Sequence, residues 1–300
     1  MDVNKIMNTY DVHVLGEGFR IIMYSPFQLQ RKESISLDTA LKNQLLSKRR
    51  LLLNEPRGHR GITGCVITPS EQADFGVMFL HHHDEVYFSY SGLFAALTAL
   101  LETGILEASR SGEYAIETTQ GVYNLYAEMN GNEVVNMQMN FLLGEVTGNT
   151  NDWERVQMDE LRDYYVFKLP SSIPTISLQH LSQMKNWVKL VLPNFKGRRN
   201  FAGIILTEAL GEEKFRSVSF EKDGFILRSP GIDSTIALLT SAREKEEKIA
   251  HIIHENLIGT RLTATMTDGV YSIRLRPILT GDHQFILQED DPLREGFLLK

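Results

Sequence analysis

The sequence holds a single cysteine, Cys65, in 300 residues. No intrachain disulfide can form, and no zinc site built on cysteine ligands is available. Long apolar runs are missing too: no stretch approaches the ~20 residues that a membrane-spanning helix needs. The opening MDVNKIMNTYD has neither the basic start nor the apolar run of a secretory leader. Basic charge is scarce, with 31 Lys and Arg against 38 Asp and Glu and a net charge of −7. That balance argues against a general nucleic-acid binder, which carries a basic face. The clusters Lys48-Arg49-Arg50 and Lys196-Gly197-Arg198-Arg199 read as solvated surface. What remains is a globular chain, 42% hydrophobic, expected in the cytosol as one large domain or two of about 150 residues.

Periodicity predicts where the chain turns. Residues 10–24 read as a strand around a Gly16-Glu17-Gly18 turn, and Ser36 is placed to cap a helix over 37–50. Strands are expected at 62–68 and 75–80, then a helix from near Gly92 that ends at Gly104. Alternating segments at 113–128 and 133–142 flank the turn signal Asn130-Gly131. A second cycle follows: a helix over 176–190, strands near 201–207, 215–220 and 223–228, and an apolar helix after Ser229-Pro230-Gly231. Strands near 258–266, 270–277 and 284–288 close the chain, and the mixed-charge run 243–248 reads as an exposed helix end. Both main helices are apolar all round, so each must be buried on all sides. Two such helices wrapped by β segments predict two similar α+β halves.

A set of motifs in order along the chain resembles the proline racemase family, which includes 4-hydroxyproline epimerases and trans-3-hydroxyproline dehydratases. The resemblance starts at Asp11-Val-His13-Val-Leu-Gly16-Glu17-Gly-Phe-Arg20 and Asn54-Glu55-Pro56-Arg57-Gly58-His59. It continues through Gly64–Pro69, Ala73–Phe79, Glu102-Thr103-Gly104, Arg228-Ser229-Pro230 and Glu255–Thr260 to the tail from Thr280 through Asp-Pro292-Leu-Arg-Glu-Gly296-Phe297. It implies an α+β, diaminopimelate-epimerase-like fold: two pseudo-symmetric halves, each a barrel-like sheet around a central helix. We place the halves at 1–126, with the tail 285–300 returning to it, and 127–284. In the family the site lies between the halves, both central helices aim their N-termini at the substrate carboxylate, and two thiols exchange the α-proton without a cofactor. The resemblance admits a small-molecule ligand and a homodimer; the net charge and the lack of a long apolar run argue against nucleic acid and membrane as partners.

Aligned on those motifs, this chain departs from the family at the site. The first thiol position falls on Ser89, in Phe88-Ser89-Tyr90-Ser91-Gly92, and the family histidine falls on Ser91. The second motif becomes Leu227-Arg228-Ser229-Pro230-Gly231-Ile232-Asp233-Ser234-Thr235, with Leu227 at the amine-binding aspartate and Gly231 at the second thiol. A family Gly-Gly pair also has no counterpart near Leu161-Arg162. A hydroxyl cannot act alone as a general base, and a glycine offers no group at all on the opposite face. By alignment, Tyr90, Ser91 and Gly92 at one helix start, and Leu227, Gly231, Ile232, Ser234 and Thr235 at the other, are the candidate ligand-binding residues.

Two candidate catalytic residues remain, Ser89 and Asp233, each with a plain structural alternative. Ser89 suits a helix N-cap; Asp233 suits a first-turn carboxylate, which would also repel an incoming carboxylate. His81-His82-His83 resembles a metal cluster, but neighbours on a strand point to opposite faces, so a solvated strand end is expected and no metal site. His13, His59 and Cys65 read as scaffold. Three functions follow: a family member inactive as a two-thiol racemase that still holds a small ligand; a cofactor-independent isomerase or lyase using Ser89 and Asp233; or, last, a proline racemase or hydroxyproline epimerase.

Overall fold

The computed structural model describes residues 6–23, 49–82, 87–288 and 290–298. The chain divides into two compact units, Met1–Gln138 with Arg276–Lys300, and Met139–Leu275. Residue 126, where the sequence divides the halves, lies within a strand, Gly121–Asn130.

The first unit contains β1 (Ile6–Val14), β2 (Glu17–Ile22), β3 (Ile62–Thr68), β4 (Phe75–Leu80), helix α1 (Tyr90–Glu102), β5 (Glu113–Thr118), β6 (Gly121–Asn130) and most of β7 (Glu133–Phe141), whose last three residues fall in the second. The second contains β8 (Glu145–Asn149), β9 (Trp153–Asp159), β10 (Arg162–Lys168), α2 (Leu181–Val191), β11 (Phe201–Ala209), β12 (Lys214–Glu221), α3 (Ile232–Lys245), β13 (His251–Asn256), β14 (Arg261–Thr267) and β15 (Val270–Leu275). The chain then returns to the first unit as β16 (Ile278–Ile286), which pairs antiparallel with β1.

Within the first unit the strand order is β16-β1-β2-β3-β4-β5-β6-β7. Within the second it is β8-β9-β10-β11-β12-β13-β14-β15. The senses match too: β2–β3 and β4–β5 are parallel, as are β10–β11 and β12–β13, and the flanking antiparallel pairs correspond. Each parallel pair needs a crossover. In the first unit residues 49–53 are helical between β2 and β3, and α1 joins β4 to β5. In the second, α2 joins β10 to β11, and α3 joins β12 to β13. Of the helix expected over 37–50, residues 37–48 lie outside the described residues and 49–50 are helical.

The central helices are buried all round, as their composition requires. Every residue from Ser91 to Leu101 is buried in α1, which packs on β1 to β4 and β16. The buried hydroxyls Thr98 and Thr240 stay satisfied by donating to the carbonyls four residues back, Phe94 and Ile236, at 2.8 and 2.9 Å. The outer helical layer is amphipathic: in the second unit Met184 and Val188 of α2 meet Tyr165, Phe167, Phe201 and Phe220 of the sheet. In the first unit Leu51, Leu52 and Leu53 pack with Ile22, Val66 and Met78. Strands β3 and β4, covered on both faces, are buried at every residue, which is why they read as continuous apolar runs.

Several local expectations need correction. The first hairpin turns at Leu15-Gly16, both with positive φ, and Glu17 and Gly18 already belong to β2. The segment 113–128 is two strands, not one. Residues 223–228 make only a single bridge, Phe220 to Ile226. The three strands β8 to β10 went unread because charged residues (Glu154, Arg155, Asp159, Arg162 and Asp163) interrupt their apolar alternation.

Candidate functional site

In the first unit the candidate residues gather at the start of α1. Ser89 has extended backbone, and its Oγ accepts a hydrogen bond from Gly92 N at 3.1 Å, which makes it the N-cap. The preceding Phe88 sits edge-on to Phe79 and Tyr90, with ring centroids 5.7 and 4.8 Å away. Gly92 leaves room for that cluster: a Cβ there would lie 2.4 Å from Phe79 Cε1. Ser91 and Gly92 are buried, while Tyr90 is half-buried beside Tyr123.

Cys65 reaches the same helix turn from β3. Its Sγ lies 3.8 Å from the Gly92 carbonyl and the residue is fully buried. Burial, helped by the charge of Glu17, pushes the thiol far above the ordinary cysteine range, so it stays protonated. It packs and donates weakly, as the scaffold reading expects; it is not poised as a nucleophile.

In the second unit the residues gather at the start of α3. Gly231 is its N-cap residue at φ 75°, a left-handed backbone, with no side-chain cap. The segment before it is pinned from two sides. Leu227 N donates to Ser219 O at 3.0 Å, and Asn256 Nδ2 donates to the Arg228 carbonyl at 2.8 Å. Ile232 is buried, and Ser234 Oγ lies 2.7 Å from Ser219 Oγ.

Asp233, in the first turn, accepts a short hydrogen bond from Arg162 Nη1. Arg162 also clasps Asp159 through Nε at 2.7 Å and Nη2 at 2.6 Å. Burial pushes the Asp233 carboxyl upward, the Arg162 guanidinium pulls against it, and the net direction is upward. The expected repulsion of an incoming carboxylate therefore needs correcting, because Arg162 offsets that charge. Arg162 was near the sequence reading only as a missing glycine pair.

Behind Thr235 lies a group that the sequence reading missed. His254 is fully buried, with Nδ1 2.7 Å from Thr235 Oγ1 and Nε2 2.6 Å from Ser217 Oγ. Thr235 gives its only proton to the Gly231 carbonyl at 2.7 Å, so it accepts from His254. That assigns the Nδ1–H tautomer and leaves Nε2 to accept from Ser217. The chain of donors runs Ser217, His254, Thr235, Gly231 carbonyl. Burial lowers the His254 pKa to about 3, so the ring is neutral at ordinary pH. The only sequence signal was its place beside the motif Glu255–Thr260.

The remaining motif residues hold scaffold. Arg20 makes a bidentate pair with Asp11 at 2.8 and 2.7 Å and donates to the Leu52 carbonyl at 2.6 Å. His13 and His59 each accept from a nearby backbone N–H, of Gly16 and Gly61. His81 and His82 are not a solvated strand end. His81 is buried and stacks on Tyr87 at 4.3 Å, and His82 donates from Nε2 to the Ile62 carbonyl at 3.1 Å. His83 lies outside the described residues. Among the described residues, no three His, Cys, Asp or Glu side chains cluster as a metal site, and no helix is long and apolar enough to cross a membrane.

A family profile described as "Proline racemase" matches residues 9–145. A trans-3-hydroxy-L-proline dehydratase of Bacillus thuringiensis subsp. konkukian is 29% identical, with 100% of each chain covered. The crystal structure of a hydroxyproline epimerase from Agrobacterium vitis, with bound trans-4-hydroxy-L-proline, superposes with a TM-score of 0.77 at 19% identity, covering 98% of this chain and 95% of that one. A phenazine biosynthesis protein of the PhzF family from Enterococcus faecalis superposes with a TM-score of 0.61 at 11% identity, over 94% of this chain and 100% of that one. The fold is the diaminopimelate-epimerase-like α+β fold expected from the motifs.

Proposed function

We propose that this chain, which belongs to the proline racemase family, is a divergent member that cannot exchange an α-proton between two thiols and that retains a small-ligand site. One observation carries this reading. The two aligned thiol positions hold a hydroxyl already committed to capping α1 and a glycine with left-handed backbone. A two-base exchange needs an ionisable group on each face of the stereocentre. Ser89 Oγ accepts from Gly92 N and, among the described residues, has no base as a hydrogen-bond partner that would activate it. Cys65 is too buried and too weakly acidic to stand in for either thiol.

The family's carboxylate-binding mode supports the ligand half of the proposal. Helix starts favour anions through their backbone N–H groups and dipole. Here Ser91 and Gly92 line one start, and Ser234 and Thr235 the other. The ligand class that follows is a small carboxylic or amino acid, the class to which the named relatives' substrates belong.

The second reading, a one-sided lyase or isomerase using Ser89 and Asp233, draws on the upward shift of Asp233 and the full-length dehydratase relative. Against it stands the Arg162 contact, which occupies the carboxylate that would act as base.

The test is proton NMR of the purified protein with L-proline, trans-4-hydroxy-L-proline and trans-3-hydroxy-L-proline in deuterated water. The expected result is no α-deuteration and no dehydration product, with a thermal shift from one or more of the three. Exchange above that of Ser89→Ala would overturn the inactive reading. Dehydration abolished by Asp233→Asn would install the second one.

A further inference from the structure

A cavity lies wholly inside the second unit, at the opposite end of α3 from Gly231. Its volume is about 560 Å³, and its apolar lining includes Trp153, Val166, Phe215, Leu238, Ala242 and Ile249. That volume falls within the ~300–1,000 Å³ of ordinary ligand pockets.

The polar part of the lining is a built receptor. Glu154 of β9 accepts a short hydrogen bond from Ser241 through Oε2, and its Oε1 lies 2.7 Å from Lys245 Nζ. Lys245 Nζ also lies 3.2 Å from Ser241 Oγ. The two halves of this arrangement differ in freedom: the Glu154 side chain is 17% exposed and the Lys245 side chain 53%. The carboxylate is fixed in the wall, while the ammonium arrives from solvent on a flexible stem.

Charge around the opening favours cations. Asp152, Glu212 and Glu246 join Glu154 on the lining, against Lys168 and Lys245; Glu208 lines it too but pairs with Arg216 at 3.1 Å. The carbonyl end of α3 points the same way, adding partial negative charge.

We propose that this cavity binds a small organic amine with an apolar body, whose ammonium replaces that of Lys245 on Glu154 and Ser241. The chain's own lysine head marks where the ligand cation sits. The apolar body then packs against Leu238, Ala242 and Ile249. The site uses none of the residues at the helix starts, so it holds whatever chemistry occurs there.

Isothermal titration calorimetry of the intact chain with phenethylammonium chloride tests this, alongside 3-phenylpropanoate, similar in shape and opposite in charge. The ammonium should bind saturably and the carboxylate at least about tenfold more weakly, a gap of ~1.4 kcal/mol. Lys245→Ala removes the competing cation and should tighten the ammonium several-fold. Glu154→Gln should weaken it about tenfold or more. The exposed double variant Glu212→Lys/Glu246→Lys, which leaves the buried wall untouched, should weaken it in the same direction. No saturable binding, equal binding of the carboxylate, or Lys245→Ala leaving the ammonium unchanged would each overturn the proposal.

Discussion

The thiol of Cys65 and the imidazole of His254 are both buried, and burial moves each away from its charged form. For the thiol this means protonation at any ordinary pH. For the imidazole it means neutrality, and here the consequence can be measured. The folded pKa, about 3, lies below the unfolded value of 6.5. Below pH 6.5 the unfolded chain therefore binds a proton that the folded chain refuses. The contribution of neutral His254 is fully present above pH 6.5 and is lost as pH falls from there towards 3, at up to ~1.4 kcal/mol per pH unit. Glu255 acts in the same sense, but lower. Hydrogen bonding to Arg216 depresses its pKa below the ordinary carboxylate value, so its contribution fades only under more acid conditions. Urea unfolding between pH 5 and 7 (roughly, the window of an unperturbed histidine) should show stability falling with acidity. His254→Gln, which keeps one donor and one acceptor, should flatten that slope while lowering stability at neutral pH.

At the level of the element, both central helices start in ways their sequences only half disclose. Ser89 is a good cap by residue type, and the hydrogen bond to Gly92 N follows from local chemistry. Gly92 has a different reason to be glycine: a methyl group there would collide with the Phe79 ring. Gly92→Ala should cost about 1–3 kcal/mol through overpacking, measured as a lowered urea midpoint with an unchanged m-value. Gly231 combines two features, since it lacks a side chain and also sits at φ 75°. A cysteine there would place a Cβ 3.4 Å from Ser234 Oγ on a backbone that L-residues rarely adopt. Any side chain at this position would thus be strained by the local backbone.

At the scale of the molecule, the most specific motifs tie distant parts of the first unit together. Arg57, in the EPRGH stretch, donates to Leu51 O at 2.9 Å, Leu293 O at 3.0 Å and Arg294 O at 2.6 Å, and pairs with Asp291 at 3.2 Å. Glu55 and Phe297 exchange two backbone hydrogen bonds of 3.0 Å beside it. Arg57 therefore fastens the C-terminal segment to a turn more than two hundred residues earlier. Hydrogen bonds to a charged group contribute about 1.5–3 kcal/mol. Arg57→Ala should destabilise the chain by at least that much and speed amide exchange at Glu55 and Phe297, read by hydrogen exchange with mass spectrometry. Unchanged protection there would mean the segment is held by other contacts.

The sequence by itself determined the fold class and the two buried helices. These depend on local signals: all-round apolar helices, turn glycines and motifs whose spacing survives substitution. It did not disclose β8 to β10, whose charged residues pair with one another (Arg155 with Asp163, Arg162 with Asp159) and so hide the strand alternation. Nor could it join Arg162 to Asp233, His254 to Thr235, or Lys245 to Glu154. Those pairs are separated by between 19 and 91 residues and meet only because the sheet closes around α3. Spacing along the chain records what a short segment prefers; which side chains share a buried volume is settled only when distant strands pack.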